Sequence, residues 1–228
     1  MAKVRIIVVN YNTNAALVNF VKTLYDFTNP DEFNLLIVDN GSKKLDFPEV
    51  FFKKKNNIEL VKFEKNMGLT KAWNYGIKAS YPADIVIAGS DVEFYNKNWL
   101  RKLVEVAKEP LCGMIHSHCL RPDMTENLKY RRYYPPYSND TSEVKRMRHD
   151  CVYIKRKLYD DVGLYNEEFF VFGSDVDLQR RAVAKGWKLM YCGSSKVLHY
   201  GGLSSSRAPK NIKNADDEMF MKIYGKLK

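Results

Sequence analysis

Two carboxylates one residue apart, Asp91 and Glu93, follow the apolar run Ile85-Val86-Ile87-Ala88 and the small residues Gly89-Ser90. A run of that kind reads as a buried strand. In open α/β sheets, ligands collect just beyond the carboxyl ends of strands. On a continuing strand, alternation would point both acids to the same side. Hard divalent cations prefer oxygen ligands, and such an ion keeps one or two carboxylates while phosphates and water complete its shell. The pair, with Ser90 beside it, therefore suits Mn²⁺ or Mg²⁺ held against a nucleotide diphosphate. Solvated acids in a strand-end turn are the plain alternative.

Other residues add chemistry of the same kind. Asp39 ends Leu35-Leu36-Ile37-Val38, where an acid can accept a hydrogen bond from a base or ribose; an Asp-Asn-Gly turn explains it equally well. Asn66 is placed to cap a helix, and Gly68 permits close backbone approach. Ser174-Asp175-Val176-Asp177 reads as a helix start whose acids suit the dipole, with Ser174 and Asp177 resembling a capping box. A base there has a lowered pKa and serves for a proton lost late in a reaction. His199 follows Val197-Leu198 at a strand end. Imidazole ligates Mn²⁺-type ions, and Gly201-Gly202 lets a loop fold over phosphates. Cys112, His116, His118 and Cys119 cluster in sequence but match neither usual zinc spacing. On a regular strand His116 and His118 share a face and Cys119 opposes them.

Alternating elements must position these groups. Val4–Val9, Leu35–Val38, Ile58–Phe63 and Ile85–Ala88 read as strands. Leu17, Phe20, Val21 and Leu24 mark a helix capped by Asn14. Leu69–Ala79 and Asn98–Lys108 read as further helices. Strands alternating with helices predict a mostly parallel sheet with right-handed crossovers. Residues 119–150, rich in Arg, Lys, Tyr and Pro, read as a long connection; Arg131, Arg132, Tyr133 and Tyr134 there could close over a ligand. Order returns at Cys151–Ile154, followed by a helix over Asp175–Lys185 that Gly186 ends, and strands at Lys188–Tyr191 and Val197–Tyr200. Asn214–Tyr224 is basic and amphipathic.

With 228 residues and 45% apolar content, the chain suits one large domain or two small ones with a sizeable core. The net charge of +10 admits nucleic acid, an anionic membrane surface or phosphorylated small molecules as partners. The Lys53-Lys54-Lys55 run reads as a solvated face. Four cysteines without a C-x-x-C pair suggest free thiols in a reducing compartment. Met1-Ala2-Lys3 leads directly into the first strand, and no run approaches the ~18 apolar residues of a membrane span. The expectation is a cytoplasmic protein, at most peripheral at the membrane.

In order and spacing, the motifs together resemble family 2 glycosyltransferases of the GT-A fold, in particular their compact rhamnosyltransferase-like branch. The resemblance covers Lys3 to Ser206. It rests on Val8-Val9-Asn10-Tyr11-Asn12, Ile37-Val38-Asp39-Asn40-Gly41-Ser42, Asn66-x-Gly68-x-x-x-Ala72-x-Asn74-x-Gly76, Asp91-Val92-Glu93, Phe169-Phe170-x-Phe172-Gly173-Ser174-Asp175-Val176-Asp177-Leu178 with Arg181 and Gly186-Trp187, and His199-x-Gly201-Gly202.

The resemblance implies a single GT-A domain: a nucleotide-sugar half to about residue 95, an acceptor and catalytic half to about 206, and a basic helical tail. It implies inverting transfer from a nucleotide diphosphate sugar, with UDP favoured and dTDP compatible, to a hydroxyl on a glycan, glycolipid or glycoprotein. Asp39 would receive the base, with Asn10, Tyr11 and Asn12 nearby. Asn66, Gly68 and Asn74 would line the donor cleft with Ser90 and Asp91. Asp91, Glu93 and His199 would hold Mn²⁺ or Mg²⁺, and Asp175 would be the base, with Asp177 the alternative. Glu93 stands where the family commonly has Asp, and Ser174 where it commonly has Glu. Nucleic acid is not expected as a partner, and contact with an anionic membrane is compatible with the charge. Rival readings are a sugar nucleotidyltransferase, although Asn10–Asn14 lacks glycine and lysine, and a non-catalytic carbohydrate-binding module.

Overall fold

The computed structural model describes residues 3–44, 55–125, 139–201 and 210–225. Arg131, Arg132, Tyr133, Tyr134, Lys53, Lys54 and Gly202, which the sequence reading singled out, lie outside the described residues.

Among the described residues, nine strands form one sheet: β1 Val4–Asn10, β2 Phe33–Asp39, β3 Ile58–Lys62, β4 Ile85–Gly89, β5 Val92–Phe94, β6 Cys112–Leu120, β7 Thr141–Glu143, β8 Cys151–Ile154 and β9 Lys188–His199. The order is β3-β2-β1-β4-β8-β6-β9-β5, with β7 on β9. From β3 to β4 every pair is parallel. Beyond β4 the sheet is mixed: β8 runs antiparallel to β4 and β6, whereas β6 and β9 are parallel.

Among the described residues the α-helices are α1 Asn14–Phe27, α2 Leu69–Ala79, α3 Trp99–Val106, α4 Arg156–Val162, α5 Ser174–Ala184 and α6 Lys210–Tyr224. Strand alternation sorts β1 into two apolar layers. Val4, Ile6 and Val8 meet Leu17, Phe20, Val21 and Leu24 of α1 and the buried face of α3. Ile7 and Val9 meet Ala72, Trp73 and Ile77 of α2 and Leu178 of α5. Gly76 lets α2 lie flat on the sheet, since a Cβ there would stand 2.8 Å from Ile7 Cγ2.

The structure corrects several local expectations. Asn14 does not cap α1. Thr13 holds the cap position, and Asn14 is the first helical residue, its amide donating to the Lys44 carbonyl at 2.7 Å. Gly173, at φ +88°, precedes α5, so Ser174 is its first residue and forms no capping box. The C-terminal strands expected at Lys188–Tyr191 and Val197–Tyr200 are one strand, β9, carried through an irregularity opposite β6. The connection at 119–150 begins inside β6 and contains β7. α4 was not anticipated. No helix among the described residues is long and apolar enough to cross a membrane.

Candidate active site

The parallel register sets Asn10 of β1 beside Asp39 of β2, and Val9 beside Gly89 of β4. Three strands therefore end at one edge of the sheet. Because β8 is antiparallel to β4, its beginning falls at that same edge, where Gly89 N–H donates to the Asp150 carbonyl at 2.8 Å. A cavity of about 640 Å³ opens there, a size suited to a small-molecule ligand.

Among the sequence-derived candidates, Tyr11, Asn66, Ser90, Asp91, Asp175 and His199 line this cavity. Asp91 sits in the turn between β4 and β5, with little of its surface exposed. Its Oδ1 lies 3.3 Å from His199 Nε2. His199 ends β9, and its Nδ1 lies 3.6 Å from Asp150 Oδ1. Burial works against the charged imidazole, but the Asp150 carboxylate, with Asp91 after it, outweighs that and raises the His199 pKa. Asp175 enters from the first turn of α5 on another wall.

The remaining candidates lie elsewhere. Asn10 and Asp39 are buried in a polar network and do not line the cavity. Asp39 Oδ1 accepts from the Asn10 amide at 2.7 Å and the Ser42 hydroxyl at 2.6 Å. Thr13 extends the network, donating to Asn10 at 2.8 Å and meeting the Ser90 hydroxyl at 2.9 Å. Asn12 adopts φ +56°, and its N–H donates to Ser42 Oγ at 2.9 Å, pinning the loop rather than lining the cavity. The close approach that Gly68 permits is to protein: a Cβ there would stand 2.9 Å from the Phe170 carbonyl oxygen. Asn74 spends its amide on the stretch before α5, donating to the Tyr165 carbonyl at 2.8 Å and to Glu167 at 3.0 Å and accepting the Tyr165 N–H at 3.1 Å.

Glu93 does not join Asp91 and His199. A turn rather than a strand carries Asp91, so the expected alternation fails. In β5, Val92 pairs with His199 and Glu93 with Leu198. Successive side chains leave a strand on opposite faces, which turns Glu93 away from the imidazole. Its carboxylate takes a hydrogen bond from the Tyr200 hydroxyl. Asp177, the alternative base, is also engaged: its carboxylate accepts from Arg181 Nη2 at 2.7 Å and from the Tyr224 hydroxyl at 2.5 Å.

The sequence reading missed Asn40, Arg148, Asp150 and Phe170, which also line the cavity. Asn40 holds the 66–68 turn, accepting the Met67 N–H at 2.9 Å and donating to Asn66 Oδ1 at 2.9 Å. Arg148 donates to Asp150 Oδ1 at 2.8 Å. A signal existed for both: a charged Arg148-His149-Asp150 run stands directly before a short apolar strand. Only the antiparallel direction of that strand brings the run to the ligand edge. His149 packs against Trp73 and Tyr165, and burial lowers its pKa against the pull of the Asp175 carboxylate.

The comparisons agree with this architecture. The family model for glycosyl transferase family 2 matches residues 5–172. The chain belongs to that family, and its fold is GT-A. It is 25% identical over 94% of its length to the O-antigen biosynthesis protein RfbC of Myxococcus xanthus, and covers 18% of that protein. A 59-residue stretch is 36% identical to an N-acetylglucosaminyl-diphospho-decaprenol L-rhamnosyltransferase of Mycobacterium tuberculosis, covering 26% of this chain and 19% of that one. The chain thus spans less than a fifth of the length of either relative. Among solved structures, GalNAc-T7 with UDP, GalNAc and Mn²⁺ superposes with a TM-score of 0.71 at 14% identity, over 86% of this chain and 43% of that one. The mannosyltransferase PcManGT of Pyrobaculum calidifontis with GDP-Man and Mn²⁺ gives 0.68 at 15%, over 96% and 69%.

Proposed function

We propose that the chain is an inverting, metal-dependent glycosyltransferase that takes a nucleotide diphosphate sugar, UDP-linked in preference to dTDP-linked, and glycosylates a hydroxyl on a glycan, glycolipid or glycoprotein. One observation carries the reading: Asp91 with His199 on one wall and Asp175 on another face the same cavity.

A carboxylate oxygen and an imidazole nitrogen 3.3 Å apart are a donor set that fits Mn²⁺ and accepts Mg²⁺. Asp91 and His199 would hold the ion, and Ser90 with the Tyr11 and Asn66 walls would border the nucleotide. When bound, the ion supplies charge neutralisation for the leaving diphosphate.

Asp175 supplies the base. Its carboxylate takes the proton of the acceptor hydroxyl as that oxygen attacks the anomeric carbon, and a single displacement inverts the configuration. Positioned general-base catalysis contributes about 10²–10⁴-fold, and alignment in the cavity supplies further rate. Phe170 and Phe172 border the cavity beside Asp175 and help exclude water. The mycobacterial relative is named for N-acetylglucosaminyl-diphospho-decaprenol, which favours a glycolipid acceptor, and the net charge of +10 suits a peripheral position at an anionic membrane.

The test is a thermal-shift panel of UDP- and dTDP-sugars with and without Mn²⁺, followed by transfer to lipid-linked acceptors. Binding stabilises by RT ln(1 + [L]/Kd), about 2.7 kcal/mol at 100 Kd. A donor that stabilises only with Mn²⁺ supports the proposal; no metal-dependent response to any donor overturns it.

A further inference from the structure

We propose that His116, Cys119 and Asp150 form a second cation site, for a borderline-soft divalent ion of the Zn²⁺ class, beside the wall that carries His199.

The irregular pairing of β6 creates the cluster. Between Ser117 and His118 the register against β9 shifts. On a regular strand Cys119 and His116 would leave opposite faces. Here Cys119 Sγ approaches His116 Nε2 to 3.8 Å, while His118 turns to the Tyr191 hydroxyl. His116 Nε2 lies 4.0 Å from Asp150 Oδ2. One ligand atom from each of the three residues lies within 4.8 Å of the others. Tetrahedral zinc, with bonds of ~2.0–2.3 Å, holds its ligands about 3.4–3.8 Å apart. Closing the cluster therefore asks for side-chain adjustment of at most about 1.4 Å.

The two Asp150 oxygens have separate tasks. Oδ1 accepts from Arg148 and faces His199. Oδ2 is buried, has no hydrogen-bond partner among the described residues, and faces His116. A carboxylate oxygen shut away from water without a donor is costly, and a cation removes that cost. Sulfur, imidazole nitrogen and carboxylate oxygen together select zinc-class ions over Mg²⁺. Binding breaks the Cys119 S–H bond, forms a metal–sulfur bond and releases the proton to solvent. Three protein ligands leave a fourth position open, the pattern of sites that exchange a ligand.

Co²⁺ is the probe, because a thiolate bound to it gives a near-ultraviolet charge-transfer band. The full chain is titrated with Co²⁺ without any nucleotide sugar, then back-titrated with Zn²⁺. The expected result is a band at one equivalent that Zn²⁺ abolishes. It should vanish in Cys119→Ser and persist in Cys112→Ser, whose buried thiol lies outside the cluster, and in Asp91→Asn. Circular dichroism confirms that each variant is folded. No thiolate band in the wild-type chain, or a band that survives Cys119→Ser, overturns the proposal. Because no donor is present, the result is independent of the glycosyltransferase reading: the band can appear while every donor fails to bind, and the reverse.

Discussion

Asp216 in α6 accepts the backbone N–H of Phe170 at 2.7 Å, tying the last helix of the described chain to the stretch that leads into Asp175. The same carboxylate accepts the next two N–H groups, of Val171 and Phe172, at 2.8 Å each. Tyr224 adds a second tie through Asp177, and that bond, after burial, pushes the Tyr224 pKa up to about 12. A carboxylate thus organises the cavity wall without lining the cavity itself.

Removing that carboxylate leaves three half-buried N–H groups without their acceptor. Hydrogen bonds to charged groups contribute about 1.5–3 kcal/mol each, non-additively. Asp216→Ala should therefore cost about 2–4 kcal/mol in urea unfolding. In a donor-saturated assay it should lower kcat more than it raises KM for the donor, because Asp175 loses its anchored approach. A variant with unchanged kcat would show that the wall holds without α6.

Asp175→Asn keeps size and the start of α5 but removes the base. Transfer should fall by about 10²–10⁴-fold, while the Mn²⁺-dependent thermal shift with the donor stays close to wild type. Loss of the donor shift in a folded variant would move Asp175 from catalysis to donor binding.

The two acids that opened the sequence reading should part company in the laboratory. Asp91→Asn should abolish the Mn²⁺-dependent portion of donor stabilisation. Glu93→Gln should retain most of it, since Glu93 faces Tyr200 rather than His199. Equal losses in both variants would restore Glu93 as a ligand.

Asn74 offers a contrast between architecture and binding. Its amide makes three hydrogen bonds to Tyr165 and Glu167 in a buried setting. Asn74→Ala should cost about 2–3 kcal/mol of stability while leaving donor affinity within a few-fold of wild type at a temperature where the chain is folded. A large fall in affinity without destabilisation would return Asn74 to the donor cleft.

The parallel half was legible because its signals are local. Val4–Val9 and Ile85–Ala88 are apolar runs, and Leu17, Phe20, Val21 and Leu24 keep helical spacing. The Leu69–Ala79 bounds follow directly from pattern and punctuation. β6 was hidden because Cys112–Leu120 carries Gly113, His116, Ser117 and His118, yet nearly all of it is buried. Its environment comes from neighbours on both sides rather than from its own composition. Cap residues slipped by one position because a glycine at φ +88° and a threonine took the places where Ser174 and Asn14 looked better suited. Of the residues that line the cavity, Asp91 and His199 stand out in the sequence because each follows an apolar run. Arg148 and Asp150 do not, because their arrival depends on a strand's direction. Asp39, Gly68 and Asn74 were marked by their types, but those types serve the walls of the site.

The irregularity in β9 has a further consequence. One step along β6, from Ser117 to His118, corresponds to four along β9, from Cys192 to Lys196. Ser195 pins the surplus, its hydroxyl donating to the Trp99 carbonyl at 2.9 Å and meeting Ser117 Oγ at 2.9 Å. The extra residues act as a phase adjuster that decides which face His199 presents when it pairs with Val92. A strand alternates every residue, so a change of one residue in length inverts everything downstream of it. The Gly193-Ser194-Ser195 stretch should therefore accept changes of side chain far more readily than changes of length, and a family member that gained or lost one residue there would have to rebuild its histidine from a different position in the chain.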